Sequence, residues 1–201
     1  MTKIQLSEEE MQLVNNPAWI LTKHRIIEKV YQLFGSLSAQ MQAYLQQQKH
    51  TLPQQVLQLP PKISKGEQYK AMPYVVLDYP RLFSKEDVFA VRCFFWWGNY
   101  FSITLHLKGK FHQQWYKKIA AAVAEKKLAD FYFSYGGDEF SFDLLADNYS
   151  FTGEINNYAG DAAAQQPFLK ISYKISFAQW ELAEQRLMQA FVQFMRLAEN
   201  D

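Results

Sequence analysis

The sequence predicts an α+β fold: an antiparallel or mixed sheet of five to six strands, packed by about four helices, with a helical N-terminal arm. Three observations lead to this prediction. Apolar residues recur at helical spacing through residues 19–45, and again near the C-terminus. Between these helices the apolar residues alternate, as they do in half-buried strands. Gly98-Asn99 separates two such strands, and a tight link of this kind requires antiparallel neighbours.

The N-terminal quarter carries two helix-start signals. Ser7 and Glu10 fit a capping box, and Asn16-Pro17 supplies an N-cap followed by a proline at the first helical position. The second helix should run to about Leu45. We therefore divide one domain, 1–201, into a helical arm (1–49), a Gln/Pro-rich connector (50–68) and an α+β core (69–201).

Six segments of the core have strand character. The alternation or β-rich composition predicts strands at residues 74–79, 88–97, 100–107, 131–135, 140–144 and 169–177. The last of these alternates most regularly, so Ile171 and Ile175 should be buried and Lys170 and Lys174 solvated. Helices are expected at 110–126 and from Ser176, as a capping residue, to about 199.

The hairpin around Gly98-Asn99 predicts the first candidate binding surface. In a two-residue turn Trp97 pairs with Tyr100, which places Arg92 on a nearly apolar face directed at the core. The opposite face then carries Phe95, Trp97 and Tyr100 beside polar residues. So much ring surface is not expected to face water, so a helix, a ligand or another chain should cover it.

The same register suggests candidates for catalytic residues. His106 lies diagonally from Cys93 on the aromatic face, which makes a Cys–His dyad geometrically feasible; a plain buried cysteine is the alternative. Asp78 and Arg81 close one strand, where they form either a polar ligand site or a turn with a surface ion pair. Arg92 either extends its head to solvent or binds an acid.

Residues Gly136-Gly137-Asp138-Glu139-Phe140 resemble the signature of diguanylate cyclase (GGDEF) domains. The resemblance implies a turn between two strands, glycines that let the backbone approach GTP, and an acidic metal ligand partnered by a carboxylate of an earlier strand. The preceding strand here carries His106 and Lys108 but no carboxylate, and Ser134 stands where the family usually has an arginine. Without the second carboxylate we expect no cyclase activity. A simple Gly-Gly turn, with two solvated acids before a core Phe140, is favoured over an inactive relative of the family, and an active cyclase comes last.

Composition excludes several classes of protein. The chain carries 21 basic and 20 acidic residues, a net charge of +1 that disfavours a nucleic-acid-binding surface. One cysteine excludes an internal disulfide and favours a reducing compartment. No long apolar run or signal peptide is present, so no membrane association and a cytoplasmic location are expected. Histidine spacing predicts no metal site, and no cofactor motif is found.

The leading functional hypothesis is a binding or protein-interaction module that uses the aromatic hairpin face, with Phe95, Trp97, Tyr100 and Arg92 as contact residues. Its partner is expected to be a second copy, forming a homodimer, or a small-molecule ligand. The alternative is an enzyme of unknown reaction around His106 and Cys93 or around Asp78 and Arg81.

Overall fold

One seven-stranded antiparallel sheet organises the chain. A computed structural model describes residues 4–47, 52–128, 130–134, 136–146, 149–151 and 166–198. The strand order is β1-β2-β3-β4-β7-β5-β6. The elements within the described residues are α1 (Glu8–Val14), α2 (Pro17–Gln47), α3 (Gln54–Leu57), β1 (Lys62–Tyr69), β2 (Met72–Phe83), β3 (Val88–Trp96), β4 (Tyr100–Lys108), α4 (Lys110–Ala124), β5 (Tyr132–Ser134), β6 (Ser150–Phe151), β7 (Phe168–Ser176), a 3-10 segment (Phe177–Leu182) and α5 (Ala183–Ala198).

The predicted helix starts are confirmed. The Ser7 side chain accepts from Glu10 N, and the Glu10 carboxylate accepts from Ser7 N at 2.7 Å, which completes the capping box. Asn16 Oδ1 accepts from Ala18 N at 3.1 Å, one residue beyond Pro17. Ser176 caps the 3-10 segment in the same way. These local signals need no tertiary contact, which explains why sequence alone locates them.

The α+β class is confirmed, but the prediction of five to six strands is wrong. β1 lies in the stretch assigned to the connector. Its Lys, Ser, Glu and Gln residues interrupt the apolar alternation by which a strand is predicted. A strand at the edge of a sheet can be polar because only one of its sides pairs. Residues 140–144 form no strand, whereas the two-residue β6 was not predicted. The short α3 brings the described helices to five.

The hairpin register differs by one residue from the expected one. Trp96, not Trp97, pairs with Tyr100, and the loop between β3 and β4 therefore has three residues. Gly98 adopts φ +75° within it, a conformation that favours glycine. Because side chains alternate along a strand, a shift of one residue exchanges the two faces of one strand relative to the other.

Helices cover one face of the sheet and build the main core. Val91, Cys93 and Phe95 of β3 point to this side, directly opposite Leu105, Ile103 and Phe101 of β4. α2 buries Val30, Phe34, Leu37, Met41 and Leu45 against them. Within the segment named as an arm, 1–49, the stretch from Ile27 to Leu45 therefore packs into the main core, and residues 4–21 are exposed.

In the last strand, β7, the predicted burial of the isoleucines is confirmed, but the predicted exposure of the lysines is not. Ile171 and Ile175 are fully buried in the main core. Lys170 is fully buried as well, and Lys174 is half-buried against the rings of Tyr100 and Tyr132. The expectation that both lysines are solvated is wrong because the second face of the sheet is covered too.

None of the helices in the described part of the chain combines the length and the apolar character needed to cross a membrane.

The role of α2 in the core can be tested at Phe34, which is fully buried and packs edge-on against Phe101 at 6.3 Å. Phe34→Ala should lower the unfolding free energy by about 3–5 kcal/mol, as for other buried phenylalanines. The exposed neighbour Gln32→Ala should change it by less than about 0.5 kcal/mol. Urea denaturation measures both; equal small effects would mean that α2 is a detachable arm.

Candidate functional site

The second face of the sheet carries a row of polar side chains across four strands. Asp78 of β2 pairs with Arg92 of β3, Arg92 with Thr104 of β4, and Thr104 with Ser172 of β7. One step along, His106 of β4 pairs with Lys170 of β7. We call these six residues the polar row. All but Arg92 are buried, and Arg92 is partly buried.

Asp78 and Arg92 form a two-point ion pair at one end of the polar row. Arg92 Nε and Nη2 donate to the two Asp78 carboxylate oxygens at 2.7 and 2.9 Å. The Arg92 guanidinium also lies 4.7 Å from the centre of the Phe142 ring. Of the two predicted roles for Arg92, a head that extends to solvent or a head that binds an acid, the structure shows the second. Arg92 lies on the polar face of the sheet, so its predicted place on an apolar core face is wrong.

His106 and Glu139 face each other in the middle of the site. His106 Nε2 lies 3.2 Å from Glu139 Oε1, and neither atom has an aligned hydrogen bond within the described residues. Glu139 Oε2 accepts from Lys108 Nζ at 2.9 Å. Burial, reinforced by the nearby charges of Lys170, Arg92 and Lys108, lowers the pKa of His106 to about 3. The imidazole is therefore neutral at physiological pH.

Lys170 fastens an irregular segment to the sheet. Its Nζ donates to the backbone carbonyl of Glu139 at 3.0 Å and to that of Ser141. Burial is the main cause that lowers the Lys170 pKa to about 8, opposed by the carboxylates of Asp138 and Glu139. The sequence did not single out Lys170, since its regular alternation with isoleucines is typical of a solvated position.

Residues 136–146, which we call the covering segment, lie over the polar face. Tyr100 Oη accepts from Leu144 N at 2.8 Å and donates to Phe142 O at 3.2 Å. Tyr69 Oη accepts from Phe142 N at 2.6 Å. Phe142 and Leu144 complete a second apolar cluster on this face, shared with Val76, Phe94, Trp96, Tyr100 and Tyr149.

The GGDEF-like string begins the covering segment and is not the turn of a two-stranded hairpin. Gly137 adopts φ +72°, and Asp138 Oδ1 accepts from Phe140 N at 2.8 Å. Glu139 turns inward to Lys108, so the expectation of two solvated acids is wrong for Glu139. Phe140 is 62% exposed, so it is not a core residue. The hairpin context implied by the resemblance is absent, since β5 pairs with β6 and β7.

The Cys93–His106 dyad does not form. Cys93 pairs with Ile103 and points into the main core, while His106 points to the opposite face. Burial, with a smaller effect of the Asp78 charge, raises the pKa of the Cys93 thiol well above its usual value. Cys93 is thus a buried, protonated thiol, the alternative reading of this residue.

The aromatic residues predicted to share one face are separated. Phe95 is buried beneath the helices, against Phe177 and Trp180. Tyr100 is buried on the opposite face under the covering segment. Trp97 lies in the turn, half-buried, and packs edge-on against Trp19 of α2 at 6.1 Å. Cover by a helix within the same chain was among the expected possibilities, and it applies to Phe95.

Asp78 and Arg81 do not pair with each other, so the surface ion pair expected there is wrong. A bulge in β2 separates them, and Arg81 Nε donates to Pro60 O at 3.0 Å. Both nevertheless line a cleft of about 480 Å³ together with Arg92 and Glu139. Three of the predicted site residues therefore meet, and His106 lies directly behind Glu139.

A separate apolar surface lies at the N-terminus. Every residue from 4 to 21 is exposed, and α1 buries none of its side chains. We call the large apolar side chains of this stretch the N-terminal apolar surface: Ile4, Leu6, Met11, Leu13, Val14, Trp19, Ile20 and Leu21. Trp19 begins the helical recurrence of apolar residues in 19–45 that predicted α2, yet it is 47% exposed.

In comparisons with known proteins, no family model, no curated protein and no solved structure matches the chain. Within the ranges that the structure describes, no group of three or more His, Cys, Asp or Glu side chains could hold a metal ion.

The buried amine of Lys170 should have a measurable pH signature. Its folded-state pKa of about 8 lies below the ordinary 10.5, so between these values the unfolded chain holds more protons. The unfolding free energy of the wild type relative to Lys170→Met should therefore rise with pH between about 8 and 10.5, and stay constant below about 8. Denaturant titrations across this range measure the difference. Lys117→Met, at an exposed lysine, should follow the wild-type profile, and parallel profiles for all three proteins would contradict the assignment.

Proposed function

We propose that this protein is a protein-interaction module that pairs with a second copy of itself through the N-terminal apolar surface. One observation carries the proposal: eight large apolar side chains are exposed in one continuous stretch of chain. Large apolar side chains concentrated in one exposed stretch commonly mark a surface that binds a partner.

The geometry of α2 explains why this surface stays uncovered by its own chain. Ile27 is the first buried residue of α2, Ile26 beside it is partly buried against the core, and residues 17–21 are exposed. The start of α2 that lies outside the core is therefore about five residues, or roughly 7 Å of helix. Trp19 contacts Trp97 at the hairpin turn. This contact connects the N-terminal apolar surface with the one predicted aromatic contact residue that is not buried.

The distribution of charge favours a second copy as the partner. Glu8, Glu9 and Glu10 lie at the start of α1, whereas Arg25 and Lys29 follow the apolar stretch in α2, all exposed. A two-fold axis through the apolar stretch would set the acids of one copy against the bases of the other. The three glutamates disfavour an anionic membrane as the partner, since such a membrane would repel them.

A reducing, cytoplasmic location suits this proposal. The single cysteine, Cys93, is buried and supplies no covalent link between copies, so the apolar contact itself must hold them together. The proposal requires neither a cofactor nor a metal ion.

Charged substitutions in the apolar surface should dissociate the dimer. Leu13→Asp and Leu21→Asp each act twice in a symmetric interface, and burial of one leucine is worth about 1.5–3 kcal/mol. Each variant should therefore raise the dimer dissociation constant at least about a hundredfold. Analytical ultracentrifugation over a concentration series measures this constant.

Leu145→Asp is the matched control, because Leu145 is 70% exposed and lies in the covering segment, away from the N-terminus. It should leave the dissociation constant unchanged. A wild-type chain that stays monomeric at every accessible concentration would refute the proposal, as would equal weakening by Leu145→Asp.

A further inference from the structure

The cleft at the end of the polar row has the dimensions of a small-molecule site. Its volume of about 480 Å³ lies between the end of β2, the loop from β2 to β3, and Glu139-Phe140 of the covering segment. Ligand clefts of about 300–1,000 Å³ are typical for small molecules. It is distinct from the N-terminal apolar surface on which the proposed function depends.

Positive charge dominates the lining of the cleft. Five basic side chains contribute to it: Lys62, Arg81, Lys85, Arg92 and Lys108. The two acidic side chains, Asp78 and Glu139, are each paired, the first with Arg92 and the second with Lys108. Lys62, Arg81 and Lys85 have no ion pair with any carboxylate of the described residues. Clefts lined by one sign of charge concentrate counter-ions of the other sign.

Arg92 provides a preoriented donor in this cleft. Its Nε and Nη2 are held by Asp78, and its guanidinium plane is supported by the rings of Phe142 at 4.7 Å and Phe83 at 5.7 Å. Nη1 makes no hydrogen bond to the part of the chain that the structure describes. A guanidinium fixed in this way can donate to an anionic oxygen with little loss of side-chain entropy.

Two exposed rings flank the charged lining. Phe83 and Phe140 contribute to the cleft from β2 and from the covering segment, and they are 43% and 62% exposed. We infer that the cleft binds a small anionic molecule, with a phosphate or carboxylate group at the basic side chains and a flat apolar ring against Phe140, the more exposed of the two rings. Contact with a ligand ring would also explain why the large apolar side chain of Phe140 is 62% exposed.

Calorimetric titration of the full chain tests the inference with four probes: phenyl phosphate, benzoate, inorganic phosphate and benzyl alcohol. Phenyl phosphate should bind saturably at an ionic strength of about 0.01 M and more weakly at about 0.15 M, where the Debye length falls to about 8 Å. Inorganic phosphate lacks the ring and benzyl alcohol lacks the charge, so both should bind more weakly. Benzoate against phenyl phosphate decides between the two anionic groups.

Conservative variants locate the binding site. Lys62→Gln and Lys85→Gln, both exposed, should each raise the dissociation constant of phenyl phosphate about two- to fivefold, and the double variant about tenfold. Phe140→Ala should reduce the affinity for phenyl phosphate but not for inorganic phosphate. Lys117→Gln, an exposed lysine of α4 outside the cleft, is the matched control and should have no effect.

Three results would overturn the inference. The first is no saturable binding of phenyl phosphate or benzoate at low ionic strength. The second is an equal loss of affinity in Lys117→Gln, which would indicate nonspecific attraction to the surface. The third is equal affinity for phenyl phosphate and either inorganic phosphate or benzyl alcohol, which would remove the ring or the charge from the recognition.

Discussion

The pairing of β3 with β4 determines the chemistry of both faces of this sheet. Trp96 pairs with Tyr100 across a three-residue loop, so Val91, Cys93 and Phe95 share the helix-covered face with their partners in β4. The same pairing places Arg92 and His106 on the other face. A change of one residue in register would move every β3 side chain to the opposite face relative to β4. The core, the polar row and the cleft all depend on this one alignment.

The two faces of the sheet are covered in different ways because they carry different chemistry. Helices cover the apolar face, since their side chains fill space without requiring hydrogen bonds. The polar face carries Arg92, His106 and Lys170, and an irregular segment suits it because its backbone carbonyls remain free to accept from Lys170. A buried charge without such partners is strongly destabilising, and removing one member of a buried ion pair typically costs about 3–5 kcal/mol. The cleft lies where this cover ends, so some charges there remain available to a ligand.

α2 combines two roles along one helix. From Ile27 onward it fills the main core, whereas its first residues, 17–21, are exposed together with α1. The buried part of α2 connects directly to Trp19, Ile20 and Leu21, the part of the N-terminal apolar surface that belongs to this helix. The proposed ligand cleft and the proposed dimer surface involve different residues, and each can be altered without changing the other.

The sequence by itself determined the α+β class, the starts of α1 and α2, the place of the turn between β3 and β4 but not its length, and the burial of Ile171 and Ile175, because caps, turns and periodicity act over a few residues. It also drew attention to Asp78, Arg81 and Arg92. Only the tertiary structure decided that Cys93 and His106 lie on opposite faces, that Lys170 is buried and that Glu139 turns inward. Each of these depends on loop length or on cover supplied by distant parts of the chain. The local alternation of residues shows that a strand has two faces. Packing across the whole sheet decides which segment covers each of them.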